Sequence, residues 1–265
     1  MNFQDLNLNT PLLNALEDLK FQTPTPIQEQ AFSSIMSGKD VVGIAQTGTG
    51  KTFAYMLPIL SMMKYSEQKN PRVLVLVPTR ELAVQVAEEI EKLTAYMNTR
   101  VVAVYGGVNI NTQHQDMLQG QDIVVATPGR LYDLVLRRAI QLKSIQKLVI
   151  DEVDVMLDLG FRFQIINILE LLPANRQSIM FSATMTEAVE ELIELNFKSP
   201  EKISVAISGE PLENIEQRAY QIPNFHTKVN FLRKLLKDKE TYNRVLIFVA
   251  YKRLADRLFE LLAEE

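Results

Sequence analysis

Short apolar runs alternate with stretches of helical periodicity from about residue 40 onward. The runs are DVVGI (40–44), RVLVLV (72–77), RVVAVY (100–105), DIVVA (122–126), KLVID (147–151) and QSIMF (177–181). Nearly continuous apolar runs suit strands buried on both faces, and the helical stretches between them suit right-handed βαβ crossovers. The pattern predicts an α/β domain with a mostly parallel sheet and helices on both faces. In such folds ligands bind beyond the carboxyl ends of the strands.

Two helices are expected ahead of the sheet. Thr10-Pro11 reads as a cap and first-turn proline leading into LLNALEDLKF, and Thr25-Pro26 does the same for IQEQAFSSIMS, which should end at Gly38. After residue 181 a helix near 186–197 is followed by KISVAI. The polar stretch that comes next, with Gly209 and Pro211, reads as a linker. A second unit then begins: a strand near 216–222, a helix through FHTKVNFLRKLL, a strand RVLIFVA and a helix from Lys252. The expected organisation is a first domain over 1–207, a linker at 208–214 and an incomplete second domain over 215–265.

Composition narrows the class without naming a chemistry. An apolar fraction of 47% with 23% charged residues is that of an ordinary globular protein. No uncharged stretch approaches the ~18 residues of a membrane helix, and MNFQDLNLNT lacks the basic-then-apolar pattern of a secretory signal. No membrane partner and a cytoplasmic location are therefore expected, and the chain is expected to be a monomer. The absence of cysteine excludes disulfides and cysteine-bound zinc, and His114 and His226 lie far apart. With 28 basic and 32 acidic residues the net charge is −4, which argues against a surface coated in positive charge. A local phosphate-binding strip of backbone amides and a few arginines remains compatible with that balance.

The strongest chemical signal is AQTGTGKT at 45–52, directly after an apolar run and before a helix. Gly48 and Gly50 allow successive amides to point at phosphates, Lys51 can reach the β/γ oxygens, and Thr52 offers a hydroxyl for Mg²⁺. Ala45 stands where the usual pattern starts with glycine. The second signal is Asp151-Glu152-Val153-Asp154, closing the run KLVI. Asp151 at a strand end can hold Mg²⁺ through water, and Glu152 can orient and activate an attacking water. Together the two signals predict a nucleoside triphosphate and Mg²⁺ as ligands, with Lys51, Thr52, Asp151 and Glu152 as the hydrolytic residues.

Several shorter motifs add a purpose. In order they are FQTPTPIQ (21–28), AQTGTGKT (45–52), PTRELA (78–83), Gly106-Gly107, TPGR (127–130), DEVD (151–154) and SAT (182–184); LIFVAYKR (246–253) follows. In this series the chain resembles the DEAD-box RNA helicase family over essentially its whole length. The resemblance implies a RecA-like P-loop NTPase domain followed by part of a second such domain. It implies that Gln28 reads the adenine edge with Phe21 stacked on the ring, and that Gln46, Thr47, Gly48, Thr49 and Gly50 wrap the phosphates. It also implies that Thr79, Arg80, Gly106, Gly107, Thr127, Gly129 and Arg130 hold an RNA backbone, a contact that positions a strand without reading sequence. Asp154, Ser182 and Thr184 would couple hydrolysis to strand separation.

Each short motif also has a purely architectural interpretation. Gln28 can close a capping box with Thr25, Thr79 and Thr127 can cap helices, and Thr184 with Glu187 can cap the helix that follows. Val153 stands where the family name has alanine, which leaves both neighbouring carboxylates untouched. The family's second domain supplies arginines to the γ-phosphate, and none of its later motifs is in this sequence. The chain is thus expected to be part of a longer protein, to bind ATP, to hydrolyse it weakly and not to unwind a duplex. An ATP-gated RNA clamp would use the same residues, a metabolic kinase would lack PTRELA, TPGR and SAT, and a DNA helicase would differ in its 2′-hydroxyl contacts.

Overall fold

The computed structural model describes residues 2–205 and 216–263, so the expected linker with Gly209 and Pro211 lies outside the described residues. The chain divides into two compact units, Met1–Gly209 and Glu210–Glu265. Within the first, strands β1 (Val41–Ile44), β2 (Val73–Leu76), β3 (Val101–Val104), β4 (Ile123–Ala126), β5 (Lys147–Ile150), β6 (Gln177–Ser182) and β7 (Glu201–Ser204) form one sheet. Their order is β3-β4-β2-β5-β6-β1-β7, and every neighbouring pair is parallel. All six apolar runs of the first unit are strands, and KISVAI supplies the seventh at the edge.

Helices cover both faces. On one side lie α1 (Thr10–Asp18), α2 (Pro26–Met36), α3 (Lys51–Met62) and α4 (Arg80–Leu93). On the other lie α5 (Ile110–Leu118), α6 (Pro128–Leu136), α7 (Val153–Asp158), α8 (Arg162–Leu171) and α9 (Glu187–Asn196). The alternation of side chains along a strand divides the core: Val73 and Val75 pack under the first layer, Leu74 and Leu76 under the second. Gly43 in β1 is required because a Cβ there would come 2.3 Å from the Phe181 ring of β6.

The caps differ in detail from the sequence expectation. α1 is capped by Asn9, whose side chain accepts from Leu12 N at 3.1 Å, so Thr10 is the first helical residue rather than the cap. α2 is capped by Thr25 and ends before Gly38, which takes a positive φ of 81°. α9 is capped by Thr186, which accepts from Val189 N at 3.4 Å; the expected box from Thr184 does not form. A 3₁₀ turn at Phe3–Leu6, not foreseen, buries Phe3 and Leu6 against the core.

In the second unit the helices α10 (Phe225–Leu236) and α11 (Lys252–Ala263) are as expected, but the two strands are not. Residues 216–222 and the RVLIFVA segment carry no ladder, and Leu246 and Phe248 are 79% and 87% exposed. A strand's backbone groups are completed by a neighbouring strand, and an apolar run without one has no reason to extend flat. Within this unit Asn224 caps α10 through Thr227 N at 2.9 Å, and Tyr220 packs on Phe231 with ring centroids 4.7 Å apart.

Candidate functional site

At the carboxyl end of β1 the chain turns through residues 45–50 into α3. Gly48 and Gly50 have φ of 82° and 88°, a left-handed backbone that other residues reach only with strain. The turn aims Lys51 inward, where the side chain is 6% exposed and its Nζ has no hydrogen-bond partner. The nearest opposite charges are Asp151 Oδ1 at 3.7 Å and Glu152 Oε1 at 4.0 Å. These come from the end of β5, two strands away in the sheet order. Glu152 itself is left-handed, with φ 54° and ψ 49°, which swings the chain sharply from β5 into α7.

Asp151 is 3% exposed, and burial pushes its carboxyl up to about 6 even though Lys51 and a hydrogen bond from Tyr55 pull it down. Its Oδ1, like Lys51 Nζ, is buried and without a hydrogen-bond partner. A buried ammonium and a buried carboxylate oxygen, both unsatisfied and facing one space, are costly in isolation. The space they face is a cavity of about 640 Å³ lined also by Phe21, Gln28, Thr47, Thr52, Phe53 and Gln85. That is the size of a site for a nucleotide-scale ligand.

Gln28 lines this cavity and realises the capping box expected of it. Its Oε1 accepts from Thr25 N at 2.9 Å, closing the capping box of α2. Its Nε2 donates to Gly50 O at 3.1 Å, while Thr25 Oγ1 donates to Thr49 O at 2.9 Å. The start of α2 is thereby stapled to the glycine loop. One lone pair on Oε1 and one hydrogen on Nε2 are left over, the pair needed to read an adenine edge. Phe21, half exposed, stands edge-on to Phe53 with centroids 5.2 Å apart and offers an open ring face. Gly50→Ala is expected to fail at this staple, because its Cβ would lie 2.4 Å from Gln28 Nε2 on a left-handed backbone. A loss of about 2 kcal/mol, read by thermal unfolding, should accompany at least tenfold weaker nucleotide binding.

Between β5 and β6 a polar bridge joins two of the expected coupling residues. The Thr184 hydroxyl and amide donate to Asp154 Oδ2 at 2.8 and 2.9 Å. Burial alone would raise Asp154, but these bonds outweigh it and hold the carboxyl below its ordinary value. The Ser182 hydroxyl donates to Thr184 O at 2.7 Å, shaping the turn that presents the Thr184 side chain, and it also lies against Asp154, where it helps to hold that carboxyl down.

The remaining site residues gather at the carboxyl ends of β2, β3 and β4. Thr79 caps α4 by accepting from Leu82 N at 3.2 Å, and the Arg80 guanidinium lies 5.0 Å over the Tyr105 ring. Gly107 has φ of 84°, and a Cβ on Gly106 would meet open space. Thr127 precedes α6 but its side chain makes no cap bond, leaving the hydroxyl free of that duty. Gly129 lies in the first turn of α6. Arg130 is committed in part to the fold: it donates to Gln113 Oε1 at 2.8 Å and Val108 O at 2.9 Å, bracing the turn after Gly106-Gly107 and α5.

The profile of the family described as DEAD/DEAH box helicase matches residues 25–192, more than half of the chain and nearly all of the elements just described. The chain belongs to the DEAD/DEAH box helicase family. Among its relatives, the ATP-dependent RNA helicase DeaD of Haemophilus influenzae is 37% identical over 253 residues, 95% of this chain and 41% of that protein. The DeaD protein of Escherichia coli K12 is 39% identical over 251 residues, covering 94% and 39%. The DEAD-box ATP-dependent RNA helicase RhpA of Helicobacter pylori is 38% identical over 264 residues, covering 100% and 53%. The chain thus spans about two fifths to half the length of these curated relatives.

For this DEAD/DEAH box domain the sheet order divides the site into two halves. The glycine loop, DEVD and SAT motifs leave β1, β5 and β6, which are adjacent, while PTRELA, Gly106-Gly107 and TPGR leave β2, β3 and β4, also adjacent. Three contributors were missed from the sequence. Tyr105 directly precedes Gly106, a signal that was available. Gln113, buried on α5, had none. Tyr55 lies one turn after Lys51 on α3, so its helical spacing alone placed it on the same face. Among the described residues no helix is long and apolar enough to cross a membrane.

Proposed function

We propose that the first unit binds ATP with Mg²⁺ and a single RNA strand, and that in a longer protein it drives ATP-dependent local separation of RNA duplexes. The observation that carries this reading is the buried Lys51 ammonium, unsatisfied beside the unsatisfied Asp151 Oδ1 at the mouth of the glycine loop. Phosphate oxygens and a hydrated cation would satisfy both. Thr52 and Asp151 would hold Mg²⁺, which supplies charge neutralisation between the phosphates when bound.

In this reading Phe21 and Gln28 select adenine, Gln46 through Gly50 wrap the phosphates, Lys51 orients the transferred group, and Glu152 positions the attacking water. Thr79, Arg80, Gly106, Gly107, Thr127, Gly129 and Arg130 grip successive phosphates and sugars without reading bases. The Asp154–Thr184 bridge ties the carboxylate motif after β5 to the turn after β6, so that a shift at the carboxylates is felt at the SAT motif. Among the described residues, those lining the cavity include Lys51 and Lys92 as cations and no arginine. An arginine finger contributes about 10³–10⁵ in rate in related chemistry, so turnover by these residues alone should be slow.

Fluorescent ATP-analogue binding, turnover, and anisotropy of labelled single-stranded RNA and DNA of matched sequence test the proposal. Expected are Lys51-dependent nucleotide binding, turnover near background, and RNA binding that is indifferent to sequence yet tighter than DNA. Rapid RNA-stimulated turnover by this chain would overturn the account of an incomplete phosphate site. Failure to bind RNA at all would return the choice to a small-molecule NTPase.

A further inference from the structure

Tyr55 is fully buried on α3, one turn beyond Lys51. Its hydroxyl donates to Asp151 Oδ2 at 3.1 Å, and the Thr52 hydroxyl approaches the same phenol oxygen. The ring is held against Phe181, with centroids 5.7 Å apart, and Phe181 is itself seated on Gly43. A phenylalanine would fill this space equally well, so packing alone does not call for the oxygen. With Oδ2 occupied, the Asp151 carboxylate cannot rotate freely, and its other oxygen stands 3.7 Å from Lys51 Nζ with no hydrogen-bond partner.

We propose that Tyr55 is a positioning residue whose hydroxyl pins Asp151 Oδ2 beside Thr52, so that the free Asp151 oxygen and the Thr52 hydroxyl are presented together to hydrated Mg²⁺. The inference rests on the nucleotide reading above and goes beyond it by assigning the orientation of the carboxylate to one phenol. The phenol takes no part in proton transfer. Burial, and after it the Asp151 charge, holds it well above its ordinary value, so it remains a donor. Partners behind a metal's ligands typically contribute about 10–100-fold to metal affinity, and less is expected where water intervenes.

The test is Tyr55→Phe, titrated with mant-ADP in EDTA and again in excess Mg²⁺. Binding in EDTA should stay within about twofold of the parent, while the gain in affinity on adding Mg²⁺ should shrink about three- to tenfold. In an Asp151→Asn background the same change should add nothing, because the bond it removes no longer holds a carboxylate. An unchanged Mg²⁺ gain overturns the proposal even if the melting temperature drops, since the hydroxyl would then serve only the core. An equal loss in the Asp151→Asn background overturns it too. Lys51→Ala run alongside separates the two levels. If it binds mant-ADP like the parent, the nucleotide reading falls and this inference with it; if it does not, an unaltered Mg²⁺ gain in Tyr55→Phe sinks the Tyr55 role alone. The parent labelled with fluorotyrosine gives a second measurement that needs no variant. Adding Mg²⁺ to its ADP complex should shift the ¹⁹F resonance of Tyr55, the tyrosine shielded from a soluble paramagnetic agent, and no shift overturns the proposal.

Discussion

Lys51→Ala should weaken binding of a fluorescent ATP analogue by about 10²-fold while leaving RNA affinity, measured without nucleotide, within about twofold. The size follows from the state of the ammonium. Lys51 is 6% exposed and makes no hydrogen bond, so its desolvation is already met in the fold and a phosphate would recover it. One or two charge-assisted bonds of about 1.5–3 kcal/mol each account for the effect. Alanine would also leave Asp151 and Glu152 facing the phosphates without a cation between them. The RNA control is informative because Arg80, Gly107 and Thr127 stand at the ends of β2, β3 and β4, on the other half of the sheet. Retention of nucleotide affinity within about threefold would mean that the cavity is not a phosphate site.

Asp151→Asn should stabilise the ligand-free protein and do so increasingly as pH rises. The Asp151 carboxyl is pushed up to about 6 from an ordinary 3.8, chiefly by burial. The folded state therefore holds the proton more tightly than the unfolded state. The stability this contributes is complete below about pH 4 and is lost as pH rises through 6. At neutral pH the ionised parent carries a penalty of at most about 3 kcal/mol, reduced in the comparison because the variant also forgoes the Lys51 ion pair. The melting temperature of the variant should match the parent near pH 4 and exceed it by several degrees at neutral pH, at about 2–4 °C per kcal/mol. Adding Mg²⁺ and ADP should reverse the order, since the parent alone has the carboxylate that the cation needs. A difference that is flat across pH would show that Asp151 ionises normally in the fold.

These two residues illustrate a stability cost placed at a site. An unsatisfied ammonium, an unsatisfied carboxylate oxygen and a left-handed Glu152 lie within one cavity wall. Each is unfavourable in the ligand-free fold, and the two unsatisfied polar groups would be satisfied by the same class of ligand.

The sequence determined the strands of the first unit and the chemistry of its loops. Continuous apolar runs can only be buried on both faces, and AQTGTGKT, DEVD and the smaller motifs fall where those runs end. The alternation of runs and helices also calls for a parallel sheet, since each strand from β1 to β6 is followed by a crossover helix. It did not set the strand order, and the order is what separates β1, β5 and β6 from β2, β3 and β4 and so brings Lys51 to Asp151. Local pattern likewise misread RVLIFVA (244–250), because an apolar run becomes a strand only when a neighbour completes its hydrogen bonds. Thr184 has the sequence of a cap and Gln28 that of a capping box. Contact across the fold sent Thr184 to Asp154 and gave Gln28 a second bond to Gly50. Spacing along one helix could place Tyr55 beside Lys51, but its bond to Asp151 spans two elements 96 residues apart, and only packing decides such a meeting.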